Sequence, residues 1–523
     1  MKKIQKILAV TLALAIPFSM VACTEKPGDL VITASEKGYG LEWLDDIVAA
    51  YEQEKGIDIQ VIKKIGNTGA SAITQEIESL GGSTDIFFST GSDLWGNLYK
   101  GEIVAANGQR YERMFEPLNS IYETTVEGET MSLLEKMDAE ALTMYDLNGK
   151  YYSVPWHNSL FGIVLNADVF ATLGYTDADI PKTTEELFAL CDDIKTKPEI
   201  DGKKVAPFIY SALAEYYTSF FPIWFAQYEG KTGFGYYSEG KDPDGEVSEY
   251  VYTFKGQEKA LEVLARLLDT DNGYQHEKST ELEFTDMQGW FLSNQAVFCV
   301  NGGWLDIEMA NYKSKNMKFI KTPVVSSIVD KLTFKTDEQL RQVIDYVDEH
   351  PEENYYTDRP AFASENDVKI VREARQMAYS GGSGGWTLVP SWAQHIDLAK
   401  DFLTFMMSDK GLRIYYEATG GGILPMKTSD GVYPDVQMST FRRNQMDIFS
   451  EGHVVNLSLT GTTRLYSIAG VSNTYNNGLM GVPGVLLATN EETKGTIADR
   501  VKEIMETNQQ TVSNKWSSIE KLL

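Results

Sequence analysis

GKYYSVPWHNSLFGIVLNADVF, residues Gly149–Phe170, decides the fold. It opens on the turn signal Asn148-Gly149 and runs into an alternating aromatic segment, Tyr151, Tyr152 and Val154, that stops at Pro155. A proline has no N–H to give to a ladder, so a strand cannot continue through it. Trp156, His157, Asn158 and Ser159 follow, a large flat ring beside three hydrogen-bonding side chains. Leu160–Leu165 then reads as a buried strand, because a short continuous apolar run is rich in β-branched and aromatic residues. Two strands meeting at such a break suit a crossing between two lobes, with Trp156 exposed where they meet. The chain before the break forms one lobe and the chain after it begins a second.

Outward from this stretch, the 523 residues are enough for two or more domains, and 43% hydrophobic content is enough for real cores. Residues 1–22 stand apart. Lys2, Lys3 and Lys6 precede an apolar run, Ile7–Phe18, and Val21-Ala22 lead to Cys23. This is a secretory signal, too short and wrongly flanked for a spanning helix. The cleavage site resembles a bacterial lipobox, with Met20 where leucine is usual and Cys23 as the lipid-bearing residue. With 47 basic and 75 acidic side chains the net charge is −28, and loss of the three leader lysines makes it more negative. Such a surface argues against nucleic acid or anionic lipid as a partner. Cys191 and Cys299 read as small buried apolar residues, one in a helix and one in a strand; a disulfide between them stays open.

Toward the N-terminus, Leu30–Ala34 reads as a strand and Glu36-Lys37-Gly38-Tyr39-Gly40 as a loop. Leu44, Ile47, Val48 and Tyr51 then recur at helical spacing up to Gly56, and Ile57–Ile62 is the next strand. Ala70–Leu80 is a second helix, and Asp85–Phe88 a third strand ending in Ser89-Thr90-Gly91-Ser92-Asp93. This βαβ order predicts parallel strands, with ligand loops at their C-terminal ends. Toward the C-terminus, Thr183 and Glu186 form a capping box for the next helix. Val205–Tyr210 is a strand, Glu215–Phe225 an unusually aromatic segment and Gln257–Leu268 an amphipathic helix. Ala296–Val300 is a strand ending in Asn301-Gly302-Gly303-Trp304. Thr322-Pro323 is a second candidate crossing. Ser326–Tyr379 is charged and helical, Ser380–Gly385 a glycine-rich link, Trp386–Val389 a strand, and Thr496–Val512 a terminal helix.

The order of these segments resembles the extracellular solute-binding proteins of bacterial ABC importers, the sugar-binding family that includes maltose-binding protein. EKGYG with GIDIQV, DIFFSTGSD, GKYYSVPW through LNADVF with PKTTEEL, EYYTSFFPIWF, AVFCVNGGW and LAKDFLTFMMSDKGL carry it in register. The resemblance implies an α/β, periplasmic-binding-protein-like type II fold, with two discontinuous lobes around a hinged cleft. The implied division is 1–22 signal peptide, 23–28 lipid-anchored tether, and 29–148 first lobe. Residues 149–325 are the hinge strand and second lobe, 326–379 a charged helical insertion, 380–427 first lobe again, and 428–523 second lobe again. Family binding positions fall on Lys37, Asp93, Glu215, Tyr217 and Trp304; the family's C-terminal aromatic has no clear counterpart. The implied partners are a carbohydrate and a membrane permease, and a monomer held at the extracellular face by its lipid is expected.

Sugars present apolar C–H faces and a rim of hydroxyls, so aromatic platforms beside hydrogen-bonding groups suit them. Trp156 and Trp304 occupy strand ends beside polar or glycine residues, and Trp386 follows Gly384-Gly385. Together with Tyr39, Thr90, Asn158 and Gly303 they complete the candidate binding set. Trp224 and Trp290 have apolar neighbours and read as core, and Trp43 as packing on its helix. Metal and cofactor signals are weak: five histidines show no ligand spacing, and Tyr274 stands where a calcium loop beginning at Asp269 would need glycine. No cofactor and no reaction are expected. A peptide or polyamine cargo, a ligand sensor, and more remotely a surface glycoside hydrolase remain alternatives. A polyamine site would show several carboxylates around the aromatics, and a phosphate-bearing cargo would show arginines in the cleft. Neither is visible in the sequence.

Overall fold

The computed structural model describes residues 28–36, 38–66, 68–89, 101–142, 145–147, 149–214, 216–312, 316–380, 385–455 and 495–522. The first lobe begins with β1 (Leu30–Ser35), α1 (Glu42–Lys55), β2 (Ile59–Lys64), α2 (Gly69–Glu78) and β3 (Ile86–Ser89). Trp43, Leu44, Ile47, Val48 and Tyr51 form the buried stripe of α1. Gly56, at φ 69°, closes that helix in the left-handed conformation that a side chain would oppose. β1 pairs parallel with both β2 and β3, with Ile32 opposite Val61 and Ile86.

The second lobe is built from β4 (Leu160–Asn166), α3 (Thr184–Ile194), β5 (Ala206–Ile209), α4 (Phe220–Ser238), α5 (Lys255–Leu268), β6 (Ala296–Gly302) and β7 (Met317–Ile320). The charged segment supplies α6 (Asp337–Glu349) and α7 (Glu365–Gln376), followed by β8 (Met377–Ser380). The chain then returns to the first lobe as β9 (Trp386–Leu388), α8 (Ile396–Met406) and α9 (Asp409–Ala418). It crosses once more into α10 (Thr440–Glu451) and β10 (His453–Val455), and α11 (Ile497–Ile519) follows. The first sheet has the order β9-β3-β1-β2. The second has the order β10-β8-β4-β6-β5, with β7 also on β4. β4 is buried along its whole length, and alternate residues serve different faces: Phe161, Ile163 and Leu165 enter one apolar core, Leu160 and Val164 the other. The second core continues into the first lobe, so apolar packing runs across the junction.

Two expectations are corrected. The segment ahead of Pro155 is a two-residue pairing, Lys150–Tyr151, and not a strand through Val154. Ser153 and Val154 instead serve β9 sideways: Thr387 donates its N–H to Ser153 Oγ at 2.8 Å and its hydroxyl to the Val154 carbonyl. Thr322-Pro323 is not a crossing. Trp224 Nε1 donates to the Pro323 carbonyl at 3.3 Å, and Val324 bridges Thr183, so this stretch stays inside the second lobe. The return to the first lobe comes between β8 and β9. Separately, Ser326–Tyr379, expected as a charged helical insertion, packs into the second lobe. Leu340, Val343 and Ile344 of α6 and Val368 and Val371 of α7 join the core of α4 and α5, and Tyr379 of β8 pairs with Phe161 and Val455. Charge on the outer face hid an amphipathic inner face.

Cys191 and Cys299 are free and buried, in α3 and β6. Burial pushes both thiols well above their usual range.

Candidate functional site at the lobe junction

The first crossing delivers Trp156 and His157 to the space between the sheets. Trp156 is 1% exposed, which corrects the expectation of an exposed ring. It stacks on Trp43 with ring centroids 5.7 Å apart and meets Phe88 edge-on at 5.7 Å. Gly385, just before β9, closes over it, and a Cβ there would overlap the indole. The burial follows from these partners: a ring sandwiched by Trp43 and a bare glycine backbone has no open face. Its Nε1 lacks a hydrogen-bond partner among the described residues. Trp43 therefore supports Trp156, where its sequence read only as packing on its own helix.

His157 links the two lobes. Its ring lies 5.9 Å from Trp156, 5.0 Å from Tyr39 and 6.3 Å from Trp304. Trp304 follows Gly302-Gly303 at the end of β6 and meets Phe161 edge-on at 5.5 Å. Gly38, in the loop after β1, lies against it: a Cβ on Gly38 would come within 2.6 Å of Trp304. The Gly303 N–H donates to Ser159 Oγ at 2.9 Å. Asn158 Oδ1 accepts from the Ser159 N–H at 2.8 Å and from the Ser380 hydroxyl. Asn158 and Ser380 also line a small pocket with Asp138 and Pro425 from the first lobe and Phe449 from α10.

Tyr39, Trp156, Asn158, Gly303 and Trp304 are thus brought to one junction. Tyr217 and Trp386 are not. Tyr217 is fully buried in the second-lobe core, 5.7 Å from Tyr210. Trp386 faces Tyr145 at 5.5 Å in the first-lobe core. Lys37, Thr90, Asp93 and Glu215, and the lipidation candidate Cys23, lie outside the described residues.

Other residues enter that the sequence did not single out. Tyr216, one position before the expected Tyr217, meets Phe161 edge-on at 4.9 Å. Burial, with the Glu308 carboxylate nearby, pushes its phenol well above the ordinary value. A short 3₁₀ turn, Tyr216–Ser219, sets which tyrosine faces the junction, and such a turn shifts the face by one residue without a compositional sign. Arg442, on the first turn of α10, is 2% exposed. It grips Asp306 with two bonds, Nε to Oδ2 at 3.0 Å and Nη2 to Oδ1 at 2.6 Å. Its guanidinium carbon lies 4.7 Å from the centre of the Tyr39 ring. Burial opposes the charge, but Tyr39 and Asp306 win and hold the guanidinium protonated, above even its usual value. Gln445, one turn on, presents Oε1 against Gly303 without a hydrogen-bond partner. Ser439 caps α10 by accepting the Arg442 N–H, and that cap is the one local signal that could have flagged this turn.

The family model for bacterial extracellular solute-binding proteins matches residues 46–437. The chain belongs to that family. A search of curated proteins returned no match. Among solved structures, this solute-binding protein is similar to the apo form of RafE from Streptococcus pneumoniae, with 16% identity, 93% of this chain and 100% of that one covered, and a TM-score of 0.58. It is similar to an ABC transporter solute-binding protein from Thermotoga lettingae bound with α-D-tagatose, at 14% identity, 92% and 99% coverage, and a TM-score of 0.58. It is also similar to the Thermus thermophilus maltotriose-binding protein, at 14% identity, 92% and 100% coverage, and a TM-score of 0.53. These likenesses fix a mixed α/β, periplasmic-binding-protein-like fold. The family is one of extracellular binding proteins. Among the described residues no helix is long and apolar enough to cross a membrane, and no group of three or more His, Cys, Asp or Glu could hold a metal.

Proposed function

We propose that this solute-binding protein captures a carbohydrate at the lobe junction and presents it to the permease of an ABC importer. One observation carries the reading: both lobes contribute aromatic rings and buried polar groups to one place. Tyr39 and Trp156 come from or beside the first lobe, Trp304, Phe161 and Tyr216 from the second. Rings supply flat contact area for C–H faces, and unpartnered buried groups such as Trp156 Nε1 and Gln445 Oε1 suit hydroxyls. Neighbouring folds whose structures hold tagatose and maltotriose support the same cargo class. The protein performs no reaction on the sugar and uses no cofactor. Cys23, lipidated after removal of residues 1–22, holds it as a monomer on the outer face of the cytoplasmic membrane.

The test is a thermal-shift screen against mono- and oligosaccharides, peptides and polyamines, followed by calorimetry and recovery of the ligand. A ligand that binds only the folded state raises the midpoint. A saccharide that shifts the midpoint and is recovered unchanged supports the reading. A shift confined to peptides or polyamines, or hydrolysis of the saccharide, refutes it. The anchor is tested separately: Cys23→Ala should leave the protein unprocessed or free of the membrane. A wild-type N-terminus beyond Cys23, without lipid, would remove the anchor from the proposal.

A further inference from the structure

We infer that the Arg442–Asp306 pair makes the junction selective for neutral over acidic carbohydrates; this rests on the carbohydrate reading above. An arginine in a binding cleft ordinarily points to an anionic ligand, because its planar fork matches carboxylate and phosphate. Here the charge is already paired: two of the three guanidinium nitrogens are bonded, and Nη1 is left as a buried donor with no hydrogen-bond partner among the described residues. Nε and Nη2 of Arg442 hold both oxygens of Asp306, at 3.0 and 2.6 Å, and the pair is nearly sealed from solvent on the arginine side. The pair is neutral as a unit, so its guanidinium presents polar N–H groups without a net positive charge.

The setting extends this argument. Tyr39 reaches the guanidinium from the first lobe, and Trp304 lies two residues before Asp306 at the end of β6, so the pair stands between the two lobes beside the candidate platform. Gln445, on the same face of α10 as Arg442, offers a carbonyl oxygen that accepts hydroxyl protons and repels carboxylates. A carboxylate entering here would meet the Asp306 charge and the Gln445 oxygen, and the one guanidinium donor left open, Nη1 of Arg442, belongs to a charge already balanced by Asp306. The chain's net charge of −28 adds a long-range term of the same sign. A neutral sugar meets none of these costs and can use each group as donor or acceptor.

The test pairs neutral probes with acidic counterparts on the full chain: D-galactose with D-galacturonate, and xylo-oligosaccharides with the same oligosaccharides bearing a glucuronate branch. Like-charge juxtaposition in a buried interface is costly enough that each bound neutral probe should exceed its acidic partner by at least about tenfold in affinity. Asp306→Asn unmasks the guanidinium and should raise the acidic-to-neutral affinity ratio by about tenfold or more, at constant salt. The double variant Arg442→Gln/Asp306→Asn removes both charges and should restore the wild-type ratio; it also serves if Asp306→Asn fails to fold. Equal or tighter binding of the acidic probes by the wild type overturns the inference alone. So does an unchanged ratio in folded Asp306→Asn, or a double variant that prefers acids. Binding of no saccharide, neutral or acidic, removes the carbohydrate reading and this inference with it, and is thereby distinguished from the other failures.

Discussion

Gly385 shows how a single missing Cβ can shape a site. The Trp156 indole lies where that Cβ would be, and the Gly385 N–H donates to the His157 carbonyl at 3.2 Å, so backbone and ring are locked together. Gly385→Ala must push the ring off Trp43 or strain the loop, and overpacking of this kind costs about 1–3 kcal/mol. The expected outcome is a lower unfolding midpoint together with weaker sugar binding; unaltered values of both would show that the ring has room to move. Trp304→Ala should weaken binding by about 1–3 kcal/mol, the scale of a buried aromatic anchor, whereas Trp156→Ala, whose ring has no open face, should weaken it through the loss of its Nε1 donor and of its contact with His157. Calorimetry on folded variants decides, and full affinity in both would dismiss Trp304 as a platform and Trp156 as a part of the site. Trp43→Ala has a different signature. Its ring contacts Trp156, Phe88 and Tyr415, so the main loss should be stability, about 3–5 kcal/mol, with any change of affinity following from a looser Trp156.

At the scale of elements, the charged segment is held to the second lobe by ion pairs laid over its apolar face. Arg375 of α7 bonds Asp348 of α6 at 2.9 and 3.1 Å, Lys182 reaches Asp345 and Asp348 at 2.7 and 2.8 Å, and Arg341 reaches Glu186 at 2.7 Å. Burial alone would raise the Asp348 carboxyl, but Arg375 and Lys182 outweigh it and hold the group below the usual carboxylate range. A carboxyl depressed in the folded state contributes stability above its unfolded value, about 4, and loses it as pH falls through the folded value. Asp348→Asn should therefore cost about 1–3 kcal/mol at neutral pH, between exposed and fully buried pairs. The gap between wild type and variant in thermal midpoint should narrow below about pH 4. A gap that stays constant with pH would mean that the carboxylate charge contributes nothing. The same elements show what was legible. Periodicity and turn residues located β1 to β4 and the helices between them, because half-buried strands and amphipathic helices must carry those patterns. The capping box at Thr183 is half there: Thr183 accepts the Glu186 N–H, but the Glu186 carboxylate takes the Lys182 N–H. The sequence offered two places for the return crossing, Thr322-Pro323 as a break and residue 380 in the division that the resemblance implied, and only the pairing of β9 with β3 separates them. Arg442 was invisible for a related reason: its partner, Asp306, lies 136 residues away and no local pattern joins them.

For the whole molecule the question is what holds the lobes together. The backbone crosses between them at Ser153–Leu160, between β8 and β9, and between α9 and α10, so few connections fix their relative angle. Apolar packing also runs across the junction, and two specific contacts add to it. Arg442 over Tyr39 is a cation–π contact worth about 0.5–2 kcal/mol, and Gly38 against Trp304 adds one backbone-to-ring contact. A ligand touching both lobes shifts any balance between open and closed arrangements only by its differential affinity for the closed one. Tyr39→Ala removes the first-lobe half of the cation–π contact without touching the Arg442–Asp306 pair. Small-angle scattering should therefore find a larger radius of gyration in unliganded Tyr39→Ala than in unliganded wild type. A saturating sugar should bring both toward the same smaller value, because the ligand then supplies bridging contacts of its own. Trp304→Ala at partial occupancy should contract less than wild type, since the second lobe has lost its platform. If neither mutation nor ligand changes the radius, the lobes form one rigid body, and hinge closure has no part in the proposed function.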